Sequence, residues 1–424
     1  MNNVQDLHIE EEIKPFFDYT YNIESGKQVS DILAKTLDSE EEIIARQQLL
    51  KGFTANWEII KHYSFYRFNL SDIFEFLETI FIGSISAKRL RLKFMFSEKA
   101  REKQRGKLIL LVRLFYALNH EYLSKINTTL FPAAYQAELE EIRKFFSGFN
   151  LDRYESAINK NKFRIGHMVE LTMMISNKTV AGETAAFWQR WFLFEAYLSI
   201  TTGIVTNGFV FPVFDNSRFS LEGFYHPVLK SPVKNDFVAR QHVTLLTGPN
   251  MSGKSTLLKA LSLCVYLAHT GLAVPATKAV MHFFSTISVA INLTDSIVSG
   301  YSHFMSEIIT LKNVLTEART GARCFAVFDE LFRGTNIEDA LEISTATLKG
   351  LKLFPNSLFF ISTHLHQLKT LEEIHNNEIS TCFIDCKLAD NIPAFTYKLK
   401  DGWSDLRLGR ILFEKEGLNT MLER

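Results

Sequence analysis

Apolar residues in the first half of the chain recur at three- and four-residue spacing. Clear examples are the segments ILAKTL, EEEIIARQQLLKGF, LSDIFEFLETIF and GKLILLVRLFYALNHEYL. This spacing places the apolar side chains on one face of a helix and predicts a mostly helical region. Proline is almost absent before Pro132, which suits long helices because proline removes a backbone donor.

The pattern changes between residues 206 and 240, where glycine, proline, asparagine and aromatic residues predict loops and short strands. From His242 onward, the strand-like runs HVTLLTG, CFAVFDE and SLFFISTH alternate with helical segments. This alternation predicts an α/β sheet, and AFTYKLKDG is a candidate antiparallel edge strand or hairpin. The predicted organisation is a helical domain over 1–210 followed by an α/β domain over 211–424.

A phosphate-binding motif, G-x-x-x-x-G-K-[ST], follows the first of these strands and precedes a helical run. Its glycines let the backbone turn tightly enough for several N–H groups to converge on phosphate oxygens. Lys254 would place a cation on the outer phosphates, and the Ser255 hydroxyl is a candidate Mg²⁺ ligand. The predicted nucleotide-binding residues are Gly248, Pro249, Asn250, Met251, Ser252, Gly253, Lys254, Ser255 and Thr256.

Two adjacent carboxylates, Asp329 and Glu330, end the apolar run CFAVF. We expect Asp329 to hold Mg²⁺ together with Ser255, and Glu330 to polarise the attacking water as general base. His364, at the end of the next strand-like run, is a candidate contact to the γ-phosphate or to that water. The residues predict a Mg²⁺-dependent nucleotide hydrolase. A phosphate-loop kinase is the weaker alternative, because no separate acceptor domain or lid is evident.

The formal charge is zero, with 47 basic and 47 acidic residues. This balance excludes a globally basic nucleic-acid binder, but it leaves room for a local basic face. No secretory signal and no long uncharged apolar stretch is evident, so we expect a cytoplasmic protein without a membrane span. The stretch 87–107 holds nine Lys or Arg against two Glu, and is either a phosphate-contacting surface or a solvated helix face. The candidate DNA-facing residues are Lys88, Arg89, Arg91, Lys93, Arg101, Lys103 and Arg105.

The phosphate loop TGPNMSGKST resembles the TGPNMGGKST loop of the MutS family of DNA mismatch-repair ATPases, with Ser252 in place of glycine. Other segments follow in the family's order. YHPV resembles RHPV, VPA resembles part of YVPA, and DSIVSGYSHFM resembles the signature stretch DDLASGRSTFM. DELFRGT is similar to DEIGRGT, and STHLHQL is similar to ATHYFEL. The resemblance covers roughly 195–415 and is diffuse upstream.

This resemblance implies an ABC-type P-loop ATPase domain preceded by an all-α lever or core domain, using ATP and Mg²⁺. It also implies a homodimer, at least when ATP is bound, in which each nucleotide is clamped between one subunit's phosphate loop and its partner's signature segment. Ser302, Phe304 and Met305 are the expected signature contacts, with Ser302 as a candidate helix cap. ATP binding would then move helical levers that act on mismatched, branched or looped DNA, in mismatch repair or recombination control. The alternative is a DNA-independent protein that acts through a protein partner, for example a repair protein.

Several features depart from the family pattern. We find no mismatch-reading domain, connector domain or C-terminal helix-turn-helix extension, and therefore expect a short MutS-like protein. The family's base-stacking aromatic falls near Pro232, with Phe237 as a nearby substitute. Tyr301, His303 and Phe332 replace the family's arginine, threonine and glycine.

Overall fold

In a computed structural model, the chain divides into two compact units, each built from separate segments. The helical unit consists of Lys14–Ile32 and Ala45–Thr206, and the sheet unit of Met1–Ile13, Leu33–Ile44 and Asn207–Arg424. The boundary near residue 210 stays a prediction for the functional domains. The sheet unit contains the C-terminal part of the chain together with two short N-terminal segments, Met1–Ile13 and Leu33–Ile44. The structure describes residues 3–64, 67–79, 86–291, 303–332, 334–389, 392–404, 406, 413 and 418–422.

The first half of the chain is helical, as its apolar spacing predicts. Short 3₁₀ and π turns join the helices. The helices are α1 (Ile23–Ala34), α2 (Glu40–Ala55), α3 (Trp57–Ile60), α4 (Arg67–Thr79), α5 (Ala87–Phe96), α6 (Glu98–Ala117), α7 (Ala133–Ser147), α8 (Leu151–Asn159), α9 (Ile165–Val180) and α10 (Glu183–Asn207).

Aromatic side chains fill the core of the helical unit. The rings of Phe145 and Phe187 stack with their centroids 4.0 Å apart, and Phe115 meets Phe146 edge-on at 5.3 Å. Trp191 is fully buried beside them. Aromatic rings bury large apolar areas, and such edge-on and stacked pairs add stabilisation beyond the buried area. The chain contains 37 phenylalanines, and the buried ones of the helical unit serve its packing.

A buried carboxylate holds the start of α1. Glu195 on α10 is only 1% exposed, and it accepts hydrogen bonds from Tyr21 N at 2.8 Å, from Ser25 Oγ at 2.8 Å and from Asn22 Nδ2. These donors satisfy the carboxylate, yet burial still raises the pKa of Glu195 to about 7. Desolvation thus outweighs the hydrogen bonds in setting its ionisation.

This raised pKa makes stability fall as pH rises. Below the pKa that Glu195 has in the unfolded chain, its side chain is protonated in both the folded and the unfolded state. Between that value and about 7, unfolding releases a proton, so the free energy of unfolding decreases with pH by roughly 3 kcal/mol in all. Urea unfolding of the wild type and of Glu195→Gln from pH 4.5 to 7.5 measures this difference. Glu140→Gln, at an exposed position on α7, is the control, and parallel pH profiles for the wild type and Glu195→Gln would refute the assignment.

The main sheet of the sheet unit has the order β10-β9-β4-β8-β7-β6 among the described residues. β4 pairs in parallel with β8 and β9, and β7 pairs in parallel with β6 and β8. The candidate edge strand forms an antiparallel hairpin, β9 with β10. A smaller sheet has the order β1-β5-β2-β3. The strands are β1 (Val213–Phe214), β2 (Ser220–Phe224), β3 (Asn235–Val238), β4 (Val243–Thr247), β5 (Lys278–Met281), β6 (Thr286–Ala290), β7 (Cys324–Phe328), β8 (Leu358–Ser362), β9 (Ser380–Ala389) and β10 (Ile392–Asp401).

Parallel pairing places the carboxyl ends of the central strands at one edge of this sheet. β4, β7 and β8 are buried along their whole lengths, so their apolar runs specify strands covered on both faces. Among the described residues, this unit contains α11 (Lys254–His269), α12 (His303–Arg319), α13 (Ile337–Leu351), α14 (Glu372–His375) and a short helix, Leu418–Leu422. Within the described part of the chain, every helix falls short of the length and apolar character that a membrane crossing requires.

The N-terminal segment is part of the sheet unit. Asn3 forms a parallel bridge with Ser288 on β6, and Asp6 Oδ2 accepts a hydrogen bond of 2.7 Å from Ile291 N, just beyond β6. This segment therefore pairs with the outer edge of β6, which is an edge strand of the main sheet among the described residues. Covering an edge in this way limits unwanted strand pairing.

Candidate nucleotide site

The phosphate-binding motif forms a tight loop between β4 and α11. Gly248 and Gly253 have φ values of 138° and 95°, and Met251 has 67°. A left-handed conformation costs an ordinary residue about 1–2 kcal/mol but costs glycine little. A Cβ atom on Gly248 would also lie 3.2 Å from Ser252 Oγ. The shape of the loop therefore explains why the motif carries glycine at both positions.

The loop presents the start of a 16-residue helix to a cavity. α11 begins at Lys254, so the N–H groups of its first turn have no partner within the helix. The helix dipole adds partial positive charge at the same place. The adjoining cavity has a volume of about 630 Å³, and Asn250, Lys254, Glu330 and His364 are among its lining residues. Backbone donors and a lysine at one helix start favour an anionic ligand such as a phosphate chain.

Lys254 is held under the loop. Its side chain is 5% exposed, and Nζ donates hydrogen bonds to Gly248 O at 3.0 Å and Pro249 O at 3.4 Å. Burial lowers the pKa of Lys254, while the charges of Glu330 and Asp329 oppose this change. An ammonium group in such a water-poor place attracts an anion more strongly than it would in open solvent.

Asp329 lies at the carboxyl end of β7, between two hydroxyl groups. Its Oδ2 accepts a hydrogen bond from Ser255 Oγ, and its Oδ1 accepts one from Ser362 Oγ. Ser362 ends β8, which lies between β4 and β7 in the sheet, so it reaches Asp329 directly. Hydroxyl and carboxylate oxygens are ligands that Mg²⁺ prefers. The contact between Ser255 and Asp329 therefore fits a Mg²⁺ site.

Glu330 is oriented by two contacts. Its N–H donates to Ser362 Oγ at 2.8 Å, and its Oε1 lies 2.6 Å from His364 Nε2. His364 Nε2 also lies 3.3 Å from Lys254 Nζ, but one ring nitrogen cannot donate to the carboxylate and accept from the ammonium at once. We assign the Nε2 proton to the shorter contact with Glu330, since hydrogen bonds to a charged oxygen are the stronger ones.

A second cavity of about 330 Å³ adjoins the phosphate loop and shares Gly253, Thr256 and Tyr397 with the first. Tyr397 interrupts the pairing of β10 with β9 and has a φ of 56°. A Cβ atom on Gly253 would lie 3.3 Å from its ring, so the ring lies beside the loop. Asn235 fixes this segment, because Nδ2 donates to Tyr397 O at 3.0 Å and Oδ1 accepts from Leu399 N at 2.8 Å.

Phe237, the substitute suggested from the sequence for base stacking, does not line either cavity. It is 8% exposed and packs against Phe360 in the core, with ring centroids 5.1 Å apart. The aromatic residues that line the second cavity are instead Phe224, Tyr225 and Tyr397, and Tyr397 also lines the first. Sequence reasoning missed Tyr397 and Ser362, whose only sequence signals are an aromatic residue in an edge strand and a small hydroxyl at a strand end.

The predicted signature residues lie only partly within the described chain. Ser302 lies outside it. Phe304 and Met305 form the first turn of α12, where Met305 is 43% exposed and Phe304 packs against the sheet unit's core.

The predicted basic residues divide into two groups. Lys88, Arg89, Arg91 and Lys93 lie on α5 and are exposed, and no acidic residue occurs on this helix. On α6, Lys103 is exposed, whereas Arg101 pairs with Glu98 and Glu102, and Arg105 pairs with Glu102. Most of the predicted basic residues that lack an acidic neighbour on their own helix are therefore on α5.

A buried parallel strand, a glycine-rich loop, a lysine-bearing helix start and an acidic pair on a neighbouring strand end define a P-loop ATPase-type domain. Residues 244–417 match the family model for MutS domain V. The chain is 34% identical over 211 residues to the DNA mismatch repair protein MutS of Bacillus mycoides (strain KBAB4), and 35% identical over 213 residues to that of Bacillus cytotoxicus. Each match covers 47% of this chain and 23% of the relative.

The C-terminal region of the chain is therefore similar to MutS domain V and to the corresponding part of MutS proteins. It spans less than a quarter of the length of the curated relatives it matches.

Proposed function

We propose that this chain is a Mg²⁺-dependent ATPase of the MutS family that acts on DNA in mismatch repair or recombination control. The proposal rests on the convergence of Lys254, Ser255, Glu330 and His364 around one cavity at the phosphate loop. Asp329 joins them through its hydrogen bond with Ser255. The relatives' name, DNA mismatch repair protein MutS, supports the biological setting.

Each residue has a role that follows from its position. The phosphate loop and Lys254 bind the phosphates, and the second cavity beside Tyr397 receives the base, whose ring can stack on an aromatic side chain. Ser255 and Asp329 would hold Mg²⁺, which supplies charge neutralisation on the phosphate oxygens. Glu330 accepts a proton from the attacking water, and the contact with His364 holds its carboxylate in place.

Dimer formation is the second part of the proposal. Met251 on the phosphate loop is 75% exposed and Met305 on the first turn of α12 is 43% exposed. We propose that ATP draws two subunits together, so that the start of α12 in one subunit meets the phosphate loop of the other. Closure of the dimer then drives movement of the helical unit. This requires ATP to bind the closed dimer more tightly than the open form.

The direct test measures ATP hydrolysis by the purified chain with Mg²⁺ and with EDTA. It is repeated with homoduplex, mismatched, branched and single-stranded DNA at two salt concentrations. We expect Mg²⁺-dependent hydrolysis and salt-sensitive DNA binding. Absence of hydrolysis under all conditions would refute the ATPase proposal.

Alanine at both Lys88 and Arg91 on α5 is expected to weaken binding to every DNA by a similar factor. If both residues contact phosphates, the slope of log affinity against log salt falls by about two. The control is alanine at Lys160 and Lys162, which are exposed in the same unit and remove the same charge. Equal losses in both double variants would show a general charge effect and would count against α5 as the DNA-facing helix.

A protein partner is the second candidate, and one observation favours it. α5 also exposes the apolar side chains of Leu92, Met95 and Phe96, the last by 84%. Exposed apolar groups of this kind are common at protein interfaces. Absence of binding to all four DNA forms at low salt, with ATPase activity intact, would favour this candidate over the DNA-binding one.

A further inference from the structure

The segment that follows Glu330 is anchored at two points. At its start, Glu330 N–H donates to Ser362 Oγ at 2.8 Å. Two residues later, Phe332 N–H donates to Glu307 Oε2, also at 2.8 Å. Glu307 lies on the second turn of α12 and is only 2% exposed. One anchor therefore belongs to the sheet and the other to α12.

The backbone of this segment is held in an unfavourable conformation. Glu330 and Phe332 have φ values of 55° and 66°, in the left-handed region that costs an ordinary residue about 1–2 kcal/mol. Such conformations persist only where the surroundings hold them, and they concentrate at functional sites. Phe332 is 1% exposed, so its burial and its hydrogen bond to Glu307 are the contacts that hold this turn.

The first turn of α12 packs directly against the same segment. The rings of Phe304 and Phe332 meet with centroids 6.2 Å apart. A Cβ atom on Gly334 would lie 2.9 Å from Phe304 Cβ, so only glycine allows this approach. A displacement of α12 would therefore displace Phe332 and Gly334, and with Phe332 the backbone next to Glu330.

We propose that Glu307 is a positioning residue, which ties the general base Glu330 to the start of α12. The inference rests on the proposed ATPase function and on the role proposed there for α12 at the dimer contact. A buried carboxylate is tolerated where it is hydrogen-bonded, and the hydrogen bond shown for Glu307 fixes the backbone two residues from Glu330. Through Glu307, the arrival of a partner subunit at Met305 is transmitted to the hydrolytic centre.

The test compares Glu307→Leu, which removes the acceptor at similar volume, with Glu307→Gln, which keeps an amide oxygen as acceptor. For Glu307→Leu we expect kcat to fall roughly ten- to hundredfold, with the Kd for ATP within about threefold of the wild type, because the phosphate loop is untouched. Glu307→Gln should retain most of kcat. The same substitutions at Glu342, exposed on α13, are the controls.

The dependence of activity on protein concentration gives a further readout. In the wild type, the rate per subunit should rise as dimers form, and in Glu307→Leu this rise should be strongly reduced. The methyl group that Gly334→Ala adds would collide with Phe304 while Glu307 stays intact. This variant should likewise lower kcat for ATP hydrolysis and leave the Kd for ATP unchanged. This variant decides the matter if Glu307→Leu does not fold.

The outcomes separate the two proposals. A wild type without ATPase activity refutes the proposed function itself. An active wild type whose kcat is unchanged by Glu307→Leu and by Gly334→Ala overturns the role of Glu307. So does a loss of kcat accompanied by an equal loss of ATP affinity, because that result shows general damage to the site.

Discussion

Glu330→Gln is expected to lower kcat for ATP hydrolysis by roughly 10²- to 10⁴-fold, the usual contribution of a positioned general base. The amide is isosteric and cannot take a proton from water, whereas Lys254 and the phosphate loop stay intact. The Kd for ATP should therefore change only a few-fold. Single-turnover hydrolysis and equilibrium nucleotide binding measure the two effects separately. Glu338→Gln, at an exposed position on α13, is the matched control.

The same variant tests the composite site. If hydrolysis is what releases the dimer, Glu330→Gln with ATP and Mg²⁺ should accumulate as a dimer in analytical ultracentrifugation, and should not do so without nucleotide. Met251 and Met305, both exposed in the single chain, would be buried in that dimer. A variant that binds ATP, fails to hydrolyse it and stays monomeric would contradict the composite site, although the role of Glu330 as general base would stand.

The arrangement of the site was largely predictable because its main residues occupy strand ends and a helix start. Lys254 and Ser255 open α11, and Asp329 and Glu330 follow β7. Parallel strands bring their carboxyl ends to one edge of a sheet, so three separate motifs in the sequence imply one site. The structure places His364 there as well, within hydrogen-bonding distance of Glu330.

Other contacts depend on the order of strands, which the sequence does not contain. Ser362 reaches Asp329 only because β8 lies between β4 and β7. Tyr397 reaches the phosphate loop because irregular pairing of β9 and β10 places it in a left-handed turn. The residue types alone do not reveal either contact, since strand order and bulges are set by packing of the whole sheet.

The sequence also predicts only in part which charged side chains are exposed and unpaired. The sequence gives Arg101 and Arg91 equal weight as basic residues, yet the structure pairs Arg101 with Glu98 and Glu102 and leaves Arg91 exposed on a helix without acidic residues. In the sequence, Glu195 does not differ from the exposed glutamates of other helices. Only the packing of α10 in the structure shows that its side chain is buried. Ion pairs on the same helix for Arg101, and packing against a distant segment for Glu195, therefore decide which charges are available to a ligand.

Lys254→Ala is expected to weaken ATP binding by roughly 100-fold or more, because removing one partner of a buried charge pair costs about 2–5 kcal/mol. The effect should fall on binding itself, unlike that of Glu330→Gln, since Lys254 contacts the loop that holds the phosphates. Lys254→Arg keeps the charge, but a planar guanidinium does not fit a site shaped for a compact ammonium group, so it should restore little affinity.

Equilibrium binding of ATP, measured by calorimetry or with a fluorescent analogue, gives the result for Lys254→Ala. Lys278→Ala is the control, since Lys278 is an exposed lysine on β5 of the same unit. Wild-type affinity in Lys254→Ala would contradict the assignment of the phosphate site, and with it the roles of Ser255 and Asp329. Loss of affinity in Lys254→Ala, with retained affinity in Glu330→Gln, would separate the group that binds the phosphates from the group that activates water. That separation is what the geometry requires, because Lys254 lies under the loop and Glu330 stands at the end of a different strand.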